Sequence, residues 1–265
     1  MLSLTDAQMN AWLAQFIWPF ARILALLGTA PLFGESTIPR QSKIGLAFVL
    51  TVAISPALNI PTDIPVSSYT GLMILTQQVL IGIAMGFTMR LVFAAAQTAG
   101  EFVGLQMGLS FATFFDPVSG AQTAVLSRIF NILAVLVFIA VDGHLLVLGT
   151  LVQSFELLPA APLRLSVDGW GVIVERGSQV FVSGLLLALP LIAALLSINL
   201  ALGILNRAAP QLSVFSVGFP ITLTVGLILL AIVLPNMLPF METLFRSGLE
   251  AMTRVLQALA GDAQL

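Results

Sequence analysis

The chain has 265 residues, 58% of them hydrophobic and only 8% charged, with a mean hydropathy of +1.06; soluble domains carry roughly 25% charged residues, so this is a membrane-embedded protein with lipid as a partner. A formal net charge of −2 and the lack of any basic cluster leave nucleic acid nothing to bind. Cysteine is absent, which excludes a disulfide framework, a thiolate nucleophile and a Cys-ligated metal.

Apolar windows of about bilayer length fall at 11–33, 44–60, 71–99, 124–151, 178–205 and 213–241, six expected segments of an all-α membrane protein. No Lys or Arg precedes Arg22 and no small-residue cleavage site follows the first window, so it is read as a helix of the mature chain rather than a secretory signal. Thr5-Asp6-Ala7-Gln8 has the form of a capping box and opens that helix. Trp12 and Trp18 are expected at a bilayer interface. The connector GESTIPRQSK carries Arg40 and Lys43 while the next, NIPTDIPVSSY, carries only Asp63. Positive-inside bias then predicts a cytoplasmic first connector and an external N-terminus.

From about Leu72 to Gly108 the pattern predicts one long helix. At about 100° per residue, Gly82, Gly86, Arg90, Gln97, Gly100, Glu101, Gly104 and Gly108 all fall within an arc of about 100°. Such a face is expected to meet protein or a lumen rather than lipid, because closely spaced glycines permit tight helix contact and ions at membrane depth need polar partners or water. Two readings of it stand side by side: packing within the chain, or packing against other subunits around a pore. Arg90 and Glu101 are separated by roughly 16 Å of helical rise, too far to pair on a straight helix, so each is expected to have its own partner; Arg22 is the third charge set deep in apolar sequence.

The stretch GLQMGLSFATFFDPVSGAQT, 104–123, is too rich in Gly, Ser, Thr and Pro to continue the helix. Its Phe111, Phe114 and Phe115 are either the core of a re-entrant loop or a constriction lining a pore, since non-helical backbone at membrane depth is tolerated only where protein buries it or water lines it. Apolar sequence then resumes and breaks at Asp142-Gly143-His144. A polar connector, 156–176, precedes a helical hairpin with arms at about 172–206 and 219–241, the first expected to kink at Pro190. In the tail, Glu242, Arg246, Glu250 and Arg254 recur every four residues while Phe245, Leu249, Met252 and Leu256 line another face, predicting an amphipathic helix outside the hydrocarbon.

Enzyme chemistry finds no foothold: there is no H-E-x-x-H motif, phosphate loop or dinucleotide fingerprint. The lone His144 beside Gly143 reads as a turn residue or helix-end hydrogen-bonder. No catalytic, metal or cofactor site is expected. A small-solute secondary transporter using Arg90 and Glu101 as its coupling site is the alternative, and a purely structural scaffold a third.

Five islands in order, Trp18-Pro19 with Arg22, TAPLFGESTIPRQSKIGLA at 29–47, AGEFVGLQMGLSFATFFDPVSG at 99–120, DGH at 142–144 and NRAAPQLSVFSVGFP at 206–220, make the chain resemble the FliR family of flagellar and type III secretion export-gate proteins over nearly its whole length. The resemblance implies an all-α integral membrane subunit assembled with FliP and FliQ into a helical export gate, acting with FlhB and FlhA on unfolded flagellar proteins in the bacterial inner membrane. It implies a FliP-like part at 1–160, a FliQ-like hairpin at 161–241 and the amphipathic tail at 242–265. It also implies that 106–120 forms a pore plug, with Met107, Phe111, Phe114, Phe115, Asp116 and Pro117 as candidate plug residues. Much of such an assembly is held above the membrane plane, so the six windows need not be six spans.

Overall fold

A computed structural model describes residues 6–34, 38–58, 60–61, 64–109, 125–208 and 218–261. Among these, helices joined by turns and short connectors are the regular structure, with no strand. The helices are α1 (Asp6–Thr29), α2 (Arg40–Ile54) with a 3-10 turn at Ser55–Ala57, α3 (Tyr69–Gln106), α4 (Val125–Ala140), α5 (Gly143–Leu157), α6 (Asp168–Ala208) and α7 (Phe219–Ala260). Four of them, α1, α3, α6 and α7, are long and apolar enough to cross a membrane, and the α4–α5 pair would make a fifth as a broken span. The second apolar window does not become a span, because α2 has 15 residues and rises only about 22 Å against a hydrocarbon core of about 30 Å.

The helices sort into two compact units. The first combines residues 1–91, 142–177 and 246–265, which contain α1, α2, α5 and parts of α3, α6 and α7. Pro19 lies inside α1 and has no N–H to give the Gln15 carbonyl one turn back; the Ser55 hydroxyl donates to that carbonyl instead, at 2.9 Å. Trp18 is fully buried beside Ala14, Ile74 and Ala160, so it is a core residue and not an interfacial anchor; Trp12 is the exposed tryptophan of the pair. The connector after α5 is held on both sides. Gln77 brackets Leu163, donating to its carbonyl and accepting from its N–H, and Ser166 N donates to Leu259 O at 2.9 Å.

The expected tail is the end of α7, which runs unbroken from Phe219 to Ala260. Glu242, Arg246, Glu250 and Arg254 are exposed, while Met252, Val255, Leu256 and Leu259 are buried. In the first unit this apolar face packs against the start of α6, where a Cβ at Gly169 would collide with Leu259 and Arg176 donates to Ser247 O at 3.0 Å.

The second unit takes residues 92–141 and 178–245. At its centre Phe93, Phe138 and Phe245 form a triangle with ring centroids 5.4, 5.3 and 5.2 Å apart, spacings at which aromatic edges and faces attract. α6 runs as one helix through Pro190, and its Gly184 lies so close to α3 that a Cβ would stand 2.9 Å from the Ala95 carbonyl. The expected break at 142–144 is present: α4 ends at Ala140, Asp142 takes a left-handed backbone with φ 54°, and α5 begins at Gly143. His144 is half-buried near the start of α5, and its buried Nδ1 has no hydrogen-bond partner.

Candidate functional site

Arg22 is fully buried in the first unit. Its Nε donates to Gln78 Oε1 on α3 at 2.9 Å, one terminal nitrogen donates to both the carbonyl and the hydroxyl of Ser154 at 2.8 and 3.0 Å, and the other donates to Leu158 O at 2.6 Å. The guanidinium carbon lies 4.0 Å from the centre of the Phe155 ring, a cation–π distance. Ser154 lies in the last turn of α5, its carbonyl also accepting from Leu158 N at 2.9 Å, and Leu158 is the C-cap residue that follows, at the end of the helix where the macrodipole is negative. Arg22 therefore caps α5 from α1 while gripping α3, and neutral acceptors carry its charge. Arg22 thus finds its partners across helix–helix contacts. Gln78, also fully buried, keeps its amide nitrogen unpartnered, as does Trp18 with its indole N–H.

The glycine face of α3 is used within the chain. In the first unit, a Cβ at Gly82 would stand 2.4 Å from the Arg22 carbonyl and one at Gly86 would stand 2.0 Å from Thr29 Oγ1, so both glycines let α3 press on α1. In the second unit, Gly100 lies against α4, where a Cβ would meet Leu126 O and Ser127 Cα at 2.6 Å each. Gln97 supports the same contact, donating to Asn131 Oδ1 at 2.9 Å and accepting at its carbonyl from Ser127 Oγ at 3.0 Å. Gly104 is looser, with Leu126 Cδ1 3.8 Å from a Cβ. Arg90 and Glu101 are both exposed on the isolated chain, Arg90 in the first unit and Glu101 in the second.

At its C-terminus α3 closes with Gly108 at φ 82°. Leu109 N donates to Gly104 O and Gly108 N to Leu105 O, both at 3.0 Å, the paired bonds of a Schellman motif with glycine in the left-handed position. Met107 is buried, 1% exposed. The helix thus ends at Gln106, close to the expected Gly108 and inside the 104–123 stretch that was expected not to continue it. Phe111, Phe114, Phe115, Asp116 and Pro117 lie outside the described residues. Among the described residues no group of His, Asp and Glu is placed to hold a metal.

A profile of the family described as bacterial export proteins, family 1, matches residues 13–248. Over 245 residues the chain is 50% identical to the flagellar biosynthetic protein FliR of Escherichia coli (strain K12), covering 92% of this chain and 94% of that protein. The chain belongs to the FliR family. FliR of Pectobacterium carotovorum is 47% identical over 260 residues, 98% of this chain and 99% of its own length. FliR of Bacillus subtilis (strain 168) is 30% identical over 249 residues, 93% and 95%. The likeness spans both units, and the FliR assignment together with the long apolar helices makes this a membrane protein of the flagellar export apparatus.

Sequence reasoning singled out Arg22 but missed Gln78, Ser154, Phe155 and Leu158 around it, and missed Asn199, Thr222 and Gly226 around Met107. The adjacent Gln77 and Gln78 in an apolar helix were the one available signal. Backbone carbonyls leave none.

Proposed function

We propose that the chain is a non-enzymatic subunit of the flagellar type III export gate, forming a protein-conducting pore with FliP and FliQ in the bacterial inner membrane at the base of the basal body. Its cargo is unfolded flagellar subunits, and FlhB and FlhA act with it. Segment 1–160 takes the FliP-like role, 161–241 supplies the FliQ-like hairpin, and 242–265 is the amphipathic tail. Arg90 and Glu101, exposed on the single chain, pair with groups on neighbouring subunits rather than forming a solute site.

The observation that carries this reading is the Schellman stop at Gly108, which releases the chain from α3 at the threshold of the Phe111, Phe114 and Phe115 ribbon. Those rings supply an apolar constriction that excludes water and ions by dewetting. Deleting 110–116, or changing the three phenylalanines to Ala, is expected to leave the complex assembled while cells take up a dye they otherwise exclude. An assembled complex with the deletion that stays as tight as wild type removes the closure role.

A further inference from the structure

Among the described residues, the carbonyls of Gln106 and Met107 at the end of α3 accept no backbone N–H once the Schellman bonds are made. Both are approached from the C-terminal helices. Asn199 Nδ2 on α6 donates to Gln106 O at 3.3 Å. The Thr222 hydroxyl on α7 divides its donation between Phe219 O at 3.0 Å and Met107 O at 3.5 Å. One turn further along α7, Gly226 leaves a notch that the Met107 side chain fills: a Cβ there would stand 2.7 Å from Met107 Cε, 2.8 Å from Cγ and 3.0 Å from the sulfur. Because the clash would involve Cγ as well as the flexible tip, the whole side chain would have to leave. All of these residues lie in the second unit.

We propose that Asn199 and Gly226, with Thr222 in support, are positioning residues that pin the end of α3 to the C-terminal helix pair, so that the chain after Gly108 starts from a stationary point. The role given to that point rests on the closure reading above. A helix end frays unless its last carbonyls are satisfied, and a fraying α3 would move the origin of every residue that follows. Methionine suits the notch because its unbranched thioether fills irregular gaps, and glycine suits it because nothing larger leaves room for the sulfur.

The test uses the assembled complex in cells, with dye uptake as the readout beside export of flagellar protein. Gly226→Leu evicts Met107, and Met107→Ala empties the notch; each is expected to raise uptake toward the level of the 110–116 deletion with assembly retained. Combining Met107→Ala with Gly226→Leu refills the space from the other side and is expected to bring uptake back toward wild type. That reversal is not expected if Gly226 merely serves the helix it sits in. Should neither single variant assemble, Asn199→Leu, which removes one donor at similar volume, is read in their place. Assembled variants that stay tight while the deletion leaks overturn the pin. A deletion that does not leak overturns the closure reading and takes the pin's role with it. The chain has no native cysteine, so a Met107→Cys, Gly226→Cys pair gives a second, independent measurement. With copper phenanthroline and oxygen added as the two-electron oxidant, the bridge is expected to form and to leave export unchanged. Failure to form, or a block of export when formed, overturns the stationary base.

Discussion

Arg22 carries a permanent charge into a site whose acceptors are an amide oxygen, a hydroxyl and two backbone carbonyls. Its planar fork matters more there than its charge, because a lysine offers one nitrogen where three are used. Arg22→Lys is therefore expected to leave buried acceptors unpaired, at about 1–3 kcal/mol each, and to lower the unfolding temperature of the detergent-purified protein. Unfolding at the wild-type temperature would show that a positive charge near the α5 terminus is sufficient. The oddity of Trp18, Pro19 and Arg22 was plain in the sequence. The partners of Arg22 were not, because they lie 56, 132 and 136 residues away, and two of the acceptors are backbone groups that any residue would present.

At the scale of elements, period and composition located the helices well and their neighbours poorly. The 3.6-residue period put the α3 glycines on one face, but which of them meets a partner backbone depends on the register of α1 and α4, which α3 does not encode. The structure separates them: Gly100 abuts Leu126 O and Ser127 Cα, whereas Gly104 has room for a methyl group. Gly100→Ala is expected to force α3 and α4 apart and reduce assembled complex, with Gly104→Ala close to wild type in the same membrane extract. Equal behaviour of the two would mean that the α3–α4 contact yields without cost. Pro19 shows the same division between legible and illegible. Its freed carbonyl was inferable from chemistry, but its rescuer, Ser55, stands 40 residues on, past a short helix that hydropathy had read as a span.

Across the whole molecule, the segments proposed to take FliP-like and FliQ-like roles and the segments that share a core are divided differently. A boundary drawn along the chain at 160 concerns likeness; the compact units concern which side chains touch, and the first unit draws on the beginning, middle and end of the sequence. Hydropathy has no access to such grouping, since every helix carries enough apolar surface to belong to either. The exposed Arg90 and Glu101 lie in different units on one helix, separated by roughly 16 Å of rise. Exchanging them, Arg90→Glu with Glu101→Arg, is expected not to recover motility lost in either single variant. Recovery in the double variant would mean that the two share a partner.

The cap on α5 also sets a timetable. Arg22 emerges from the ribosome early, but Ser154 and Leu158 follow 132 and 136 residues later, on the order of ten seconds at about 5–20 residues per second. Throughout that interval the guanidinium has no protein acceptor at the α5 terminus, so α1 waits in the insertion machinery or at the interface with an unsatisfied cation. Closure comes later still, since Met252, Val255 and Leu256 complete the same unit's core and are made after Leu158. A chain truncated before 246 would keep the arginine and its cap but lack the apolar wall supplied by the end of α7, leaving a half-built unit for quality-control proteases to find.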